Sequence, residues 1–195
     1  MTQISRTGED GPNSRTVLVA LYRGINVGGN NAVKMESLRS MHERLGHRGV
    51  KTYIQSGNVV FAADGPIEEV AKACAVEFAR DFGFSSRVML VDATRWSEIV
   101  AGNPYSEPAA EDPKTVHVGI CLGTPDAERM AALLAKAKGR EAFEIRGDVV
   151  YLHAPDGLGR SKFAEGMEKA AGVPMTMRNW RTMETLRDLA AAVED

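Results

Sequence analysis

The 195-residue sequence is poor in the features that mark specialised classes of protein. It has two cysteines, and so few are typical of a reducing compartment. No apolar run approaches the roughly 18 residues of a membrane span. The formal net charge is −2, whereas broad non-specific nucleic-acid binding needs a strongly basic face. These absences predict a cytoplasmic protein with no membrane contact and no general affinity for nucleic acid.

Sequence motifs for metals, cofactors and common nucleophiles are also missing. The histidines are His42, His47, His117 and His153. None of them has a cysteine or carboxylate partner at metal-ligand spacing. No Gly-x-Ser-x-Gly elbow occurs, and Ser56-Gly57 is typical of a hairpin tip. Cys74 and Cys121 lie in apolar runs, which favours core packing over a reactive thiol. The sequence therefore predicts no metal centre and no cofactor.

The order of predicted elements divides the chain into two halves after a short tail. Residues 1–15 are polar and rich in Gly, Ser and Thr, so we expect a disordered tail. Residues 16–92 show the order β-α-β-β-α-β, which is the ferredoxin-like arrangement. Residues 93–195 repeat this rhythm and add a C-terminal helix. The predicted fold class is α+β, with two tandem ferredoxin-like halves built on antiparallel sheets.

Periodicity and turn residues place the individual elements. In the first half we expect strands at 17–23, 50–55, 58–62 and 87–91, with helices at 35–45 and from Pro66. In the second half we expect a short helix within 93–102, a loop over 103–114, strands at 115–122, 142–146 and 148–153, and helices from Thr124, over 161–171 and over 179–193.

The two predicted hairpins support a duplication. Gly57–Phe61 reads Gly-Asn-Val-Val-Phe, and Gly147–Tyr151 reads Gly-Asp-Val-Val-Tyr. A turn glycine followed by Val-Val-aromatic is also a general β signal, so the match alone could arise by chance. The matching order of elements around it favours an internal duplication.

A loop rich in glycine and asparagine follows the first predicted strand, over residues 22–31. Glycine lets a ligand approach the backbone, and a glycine-rich turn before a helix presents free N–H groups to an anion. A phosphate-loop motif is incomplete, because Asn30-Asn31 replaces its Lys-Ser/Thr pair. The alternative is a loop that only turns the chain. The predicted ligand-binding residues of this region are Arg23, Gly24, Asn26, Gly28, Gly29, Asn30 and Lys34.

A second group of candidate ligand residues lies toward the C-terminus, in the segments Gly157–Lys162 and Thr176–Thr182. Arginine forks well onto carboxylate or phosphate, and tryptophan can stack on a ring. The alternative is that the polar residues cap helices and the tryptophan packs in the core. The predicted residues here are Ser161, Lys162, Arg178, Asn179 and Trp180.

Four sequence blocks carry a family resemblance. They are Arg23–Asn30 (Arg-Gly-Ile-Asn-Val-Gly-Gly-Asn), Tyr53–Phe61 (Tyr-Ile-Gln-Ser-Gly-Asn-Val-Val-Phe), Gly159–Lys162 (Gly-Arg-Ser-Lys) and Arg178–Thr182 (Arg-Asn-Trp-Arg-Thr). In this order they resemble the bacterial family catalogued as domain of unknown function 1697, from Val17 to Val193. The resemblance implies an α+β fold and no established activity.

Three functions follow from these observations and stay open. The first is binding of a small phosphate- or carboxylate-bearing ligand at the Gly/Asn-rich loop. The second, ranked lower, is RNA binding by Tyr22, Tyr53 and Phe61 on a sheet face. The third is a non-enzymatic interaction or dimerisation protein. No residue is an evident general base, so the sequence decides neither catalysis nor oligomeric state.

Overall fold

The computed structural model of the protein describes residues 15–27, 31–137 and 139–193. Of the predicted tail, only Arg15 is described, and it begins the first strand. Within the described ranges, no helix combines the length and the apolar character needed to cross a membrane.

The described residues divide into two compact units, one of residues 15–98 with 186–193 and one of residues 99–185. The first six elements are β1 (Arg15–Tyr22), α1 (Met35–Arg44), β2 (Arg48–Tyr53), β3 (Asn58–Asp64), α2 (Ile67–Phe82) and β4 (Val88–Asp92). The others are α3 (Ala93–Ala101), α4 (Ser106–Glu111), β5 (Val116–Cys121), α5 (Ala127–Ala137), β6 (Ala142–Arg146), β7 (Val149–His153), α6 (Lys162–Ala171), β8 (Met175–Asn179) and α7 (Trp180–Ala191).

Each half contains a four-stranded antiparallel sheet of the same design. The strand orders are β2-β3-β1-β4 and β6-β7-β5-β8, so the first strand of each half lies between its third and fourth strands. In the first sheet Leu18 pairs with Phe61, and in the second Val118 pairs with Tyr151. The predicted α+β fold of two βαββαβ-like halves is confirmed, and the shared strand order agrees with a duplication.

The core of the first unit lies between one face of its sheet and helices α1 and α2. Strand side chains alternate between the two faces. Leu18, Ala20 and Tyr22 of β1 therefore meet Leu38 of α1 and Phe78 of α2 in one buried cluster. The helices contribute because their apolar residues recur at helical spacing along one side.

The core of the second unit follows the same plan with different side chains. Cys121 and Leu152 from the sheet pack against Met130 of α5 and against Phe163 and Met167 of α6. Both cysteines of the chain are buried and free, as their apolar surroundings predict.

The structure differs from the predicted elements at two places. A helix, α4, occupies residues that we predicted as loop because of their three prolines; Pro108 lies in its first turn, where its missing N–H costs nothing. A strand, β8, precedes the last helix. The sequence gives no strand signal there, because Thr176 is the single β-branched residue of its five positions. Pairing with β5 stabilises this strand, and that pairing is invisible to local periodicity.

Candidate functional site

Asn26 organises the loop between β1 and α1. Its side-chain amide donates hydrogen bonds to the carbonyl oxygens of Val33 (2.9 Å) and Gln55 (2.8 Å). Its side-chain oxygen accepts the N–H of Val33 at 2.8 Å. The backbone of Asn26 is left-handed, with φ of 53°, a conformation that asparagine tolerates better than most residues. Asn26 therefore positions the loop, and both its amide hydrogens are already used.

A second asparagine helps to close the same loop. The side-chain amide of Asn31 donates to the backbone carbonyl of Gly24 at 3.0 Å. The backbone carbonyl of Asn31 accepts the N–H of Asn26 at 3.0 Å. Asn31 is also left-handed, with φ of 52°. Three of the seven predicted ligand residues of this region, Gly28, Gly29 and Asn30, lie outside the described residues.

The remaining predicted residues of the loop differ in exposure. Arg23 is half-buried, its carbonyl accepts the Ser86 hydroxyl at 2.8 Å, and its N–H donates to Arg87 at 3.0 Å. Gly24 is exposed with φ of 73°. Lys34 is exposed and makes no ion pair with the described residues. Lys34 is therefore an exposed cation of this region that a ligand can reach.

An open cleft of about 640 Å³ lies beside the N-terminus of α1. Its lining residues are Ala32, Lys34, Glu36, Ser37, Ser40, Arg44, Arg80, Asp81 and Phe82. Lys34 is the N-cap of α1, and its side chain makes no capping hydrogen bond. The first N–H groups of a helix have no partner within it, so this turn offers free donors at the cleft. The sequence predicted Lys34 at this place but not the two serines.

The other charged residues of this cleft are largely neutralised. Arg44 forms ion pairs with Asp81 and Glu77, and Arg80 pairs with Glu77 at 3.2 Å. The pKa of Arg44 is raised, and its hydrogen bond to Asp81 is the largest cause. Glu36 lies in the first turn of α1 and brings a negative charge to the same cleft.

A second cleft of about 600 Å³ occurs in the second unit, at the start of α6. Its lining residues are Leu158, Gly159, Arg160, Ser161, Lys162, Ala164, Glu165, Met167, Glu168, Met175 and Met177. The Ser161 hydroxyl accepts the N–H of Ala164 at 3.0 Å and so caps α6. The exposed Lys162 and Arg160 face the same space as Glu165 and Glu168, so their charges are balanced.

The other C-terminal candidates do not join this cleft. Asn179 caps α7 by accepting the N–H of Thr182 at 2.9 Å, and Trp180 is only 8% exposed. Arg178 is half-buried and donates to the Thr176 hydroxyl at 3.0 Å and to the Met177 carbonyl at 2.9 Å. Desolvation lowers the pKa of Arg178 to about 10. Alternation along β8 turns Arg178 to the face opposite Met177, and Met177 lines the cleft.

Two of the three aromatic residues that RNA binding would need are buried. Tyr22 and Phe61 are 1% and 0% exposed, because both face α1 and α2 in the core of the first unit. Tyr53 is half-buried. In this conformation the rings of Tyr22 and Phe61 cannot stack on bases.

A buried polar cluster, which we call the His–Cys cluster, was not predicted from the sequence. It consists of His42, His47 and Cys74, whose candidate ligand atoms all lie within 4.8 Å of one another. The Nδ1 atoms of the two histidines are 2.9 Å apart, and Nε2 of His42 is 2.9 Å from the Tyr22 hydroxyl. Local spacing hides the cluster, because Cys74 comes from α2. A prediction that the apolar sides of α1 and α2 pack on the same face of the sheet would have brought these three residues together.

Burial shifts the pKa of every member of this cluster. Desolvation, and then the neighbouring His47, lowers the pKa of His42 to about 3. Desolvation lowers the pKa of His47 to about 4 and raises that of Cys74 to about 11. The pKa of Tyr22 is raised by desolvation and then by Cys74. The cluster is therefore uncharged near neutral pH.

The fold places the chain among α+β proteins with two ferredoxin-like halves. A family model described as "Protein of unknown function (DUF1697)" matches residues 16–151, and the chain belongs to this family. The matched range includes the first two sequence blocks, while those at 159–162 and 178–182 lie beyond it.

One solved structure supports the fold assignment. The chain is similar to conserved bacterial protein SP0830 from Streptococcus pneumoniae, with a TM-score of 0.71 and 20% sequence identity. The similarity covers 91% of this chain and 99% of that one. At this identity the similarity shows the fold alone. No curated protein matches the chain.

Proposed function

We propose that the protein binds a small ligand with a phosphate or carboxylate group at the N-terminus of α1, next to the Gly/Asn-rich loop. One observation carries this proposal: the first turn of α1 has no side-chain cap and opens onto the 640 Å³ cleft that Lys34 lines. Asn26 ties the described part of the loop to Val33 and to Gln55 of the β2–β3 turn, and Asn31 closes the loop on Gly24.

The donors around this turn suit an anion. Free N–H groups and the helix dipole favour negative charge at a helix N-terminus. Lys34 adds a formal positive charge, and the hydroxyls of Ser37 and Ser40 in the cleft lining can donate hydrogen bonds. Glu36 opposes binding, because its carboxylate lies in the same turn.

The balance of charge limits the class of ligand. Arg44 and Arg80 are held in ion pairs, which leaves Lys34 as the available cation among the described lining residues. A polyphosphate would need more positive charge or a metal ion to offset its own repulsion. A monophosphate ester or a carboxylate fits the cleft better.

Thermal unfolding with a panel of ligands tests the proposal. The panel comprises inorganic phosphate, nucleoside monophosphates, sugar phosphates, acyl phosphates, dicarboxylates and short RNA oligomers. A ligand at 100 times its Kd stabilises the folded state by about 2.7 kcal/mol, which raises Tm measurably. We expect a shift with at least one monophosphate or carboxylate.

Matched lysine variants locate the ligand. At the same ligand concentration, Lys34→Ala should lower the stabilisation from about 2.7 to about 1.8 kcal/mol, as a fivefold weaker Kd requires. Lys162→Ala, which removes a lysine from the cleft of the second unit, should leave the shift unchanged. The reverse pattern would place the ligand in the second unit and contradict the proposal. A shift with RNA alone, or none with any member of the panel, would also contradict it.

A further inference from the structure

We propose that the His–Cys cluster of the first unit is a binding site for a borderline or soft transition metal of the Zn²⁺ class, with His42, His47 and Cys74 as ligands. The proposal is independent of the anion site, because none of these residues lines the cleft beside α1.

Three separate segments bring the ligand atoms together. His42 lies in the last turns of α1, His47 lies in the connection to β2, and Cys74 lies in the middle of α2. The N–H of His47 donates to the carbonyl of His42 at 3.2 Å, which fixes the connection. The His47 ring also stacks on Phe61, with ring centroids 4.2 Å apart. His47 is thus held by a backbone contact and a ring contact.

The distances are close to those of a tetrahedral metal site. With Zn–N bonds of about 2.0–2.1 Å, two histidine nitrogens around one metal are roughly 3.3 Å apart. The Nδ1 atoms of His42 and His47 are 2.9 Å apart. An increase of a few tenths of an ångström in this distance would admit the ion. The Cys74 sulfur lies within 4.8 Å of both candidate nitrogens.

Tyr22 accepts or donates the hydrogen bond that a metal-binding histidine commonly makes through its second ring nitrogen. A histidine that binds metal through one nitrogen usually hydrogen-bonds through the other, which fixes its tautomer. Nε2 of His42 is 2.9 Å from the Tyr22 hydroxyl, so Nδ1 remains for the metal. Tyr22 and Cys74 also belong to the same buried core cluster. The Tyr22 hydroxyl therefore orients one of the three ligands, His42.

The ligand types select the metal. Thiolate and imidazole suit Zn²⁺ and Cu⁺, whereas Mg²⁺ and Ca²⁺ prefer oxygen ligands. On binding Zn²⁺, the Cys74 thiol loses its proton to solvent and the S–metal bond forms. In the metal-free cluster, one of the two facing Nδ1 atoms carries the proton of their contact. On metal binding, that imidazole moves its proton from Nδ1 to Nε2, so both rings stay neutral and both Nδ1 lone pairs bind the metal. His47 is half-buried and gives the ion its path from solvent, since His42 and Cys74 are 0% exposed.

Cobalt absorbance of the full chain tests this site. Co²⁺ takes tetrahedral Zn²⁺ sites, and a Co²⁺–thiolate bond gives a near-ultraviolet charge-transfer band that a site without sulfur lacks. We expect the band to saturate at one equivalent of Co²⁺ and to disappear when Zn²⁺ is added. A wild-type protein without the band would overturn the proposal.

Two cysteine variants assign the band to a sulfur atom. Cys121→Ala removes the other buried free cysteine, which lies in the second unit, and should leave the band unchanged. Cys74→Ala should abolish it. Circular dichroism establishes that each variant folds; should Cys74→Ala unfold, His47→Ala at the half-buried ligand replaces it and should weaken Co²⁺ binding at least tenfold. Retention of the band in a folded Cys74→Ala protein, or unchanged Co²⁺ affinity in His47→Ala, would overturn the proposal.

Discussion

At the scale of single residues, Gly57 shows how one position can require glycine for two reasons. Its φ is 74°, in the left-handed region that other residues adopt with strain. A Cβ added there would lie 2.6 Å from Cδ1 of Ile25 and 2.8 Å from Cβ of Tyr22. Its carbonyl also accepts the N–H of Tyr22 at 2.8 Å. The β2–β3 turn therefore lies directly against the start of the Gly/Asn-rich loop.

Gly147 is the matched control for this position. It occupies the equivalent hairpin of the second half with φ of 64°, but no atom lies within 4 Å of its added Cβ. We expect Gly147→Ala to lower the free energy of unfolding by about 1 kcal/mol through backbone strain alone. Gly57→Ala should cost more than about 2 kcal/mol, because steric overlap adds to the strain. Urea unfolding measures both, and equal losses would contradict the account.

At the scale of elements, the loop between β1 and α1 is held by side-chain hydrogen bonds of two asparagines, which contribute different numbers of bonds. Asn26 makes three such bonds with the backbone, which tie the loop to Val33 and to Gln55 in the β2–β3 turn. Asn31 makes one, to Gly24. Both residues have φ close to 50°, so an alanine at either position meets similar strain.

This difference predicts unequal effects of two alanine substitutions. Each hydrogen bond contributes roughly 1 kcal/mol, so Asn26→Ala should reduce the free energy of unfolding by about 2 kcal/mol more than Asn31→Ala. Chemical denaturation of the two variants gives the comparison. A larger loss in Asn31→Ala would show that Asn26 does not organise the loop.

Sequence patterns predict most of the elements but only part of the candidate site. Helices α1 and α2 and the two hairpins were predictable, because local periodicity and turn glycines determine them. Strand β8 was not, since its pairing with β5 is a long-range contact. The sequence also suggested Asn26 and Asn179 as ligand residues, whereas the structure shows them holding a loop and capping a helix. Side-chain amides serve backbone and ligands with the same chemistry, so sequence alone does not separate the two roles.

At the scale of the whole molecule, the two halves share a strand order but differ in their polar clusters. The first unit contains the uncapped α1 turn and the His–Cys cluster, and the second contains the cleft at α6. The formal net charge is −2, so the overall field does not attract an anion. Any affinity for a phosphate or carboxylate must come from local donors and from the nearest charges.

The central claim, anion binding at the first turn of α1, is tested most directly by removing one positive and one negative charge of this turn separately. Isothermal titration should use the phosphate ester or carboxylate that gives the largest rise in Tm. Lys34→Ala should weaken binding about fivefold, since one nearby charge is worth about 1 kcal/mol in a solvated site. Glu36→Gln should tighten binding by a similar factor, and Lys72→Ala, at an exposed lysine of α2, should change nothing. Unchanged affinity in both Lys34→Ala and Glu36→Gln would contradict an anion site at this turn.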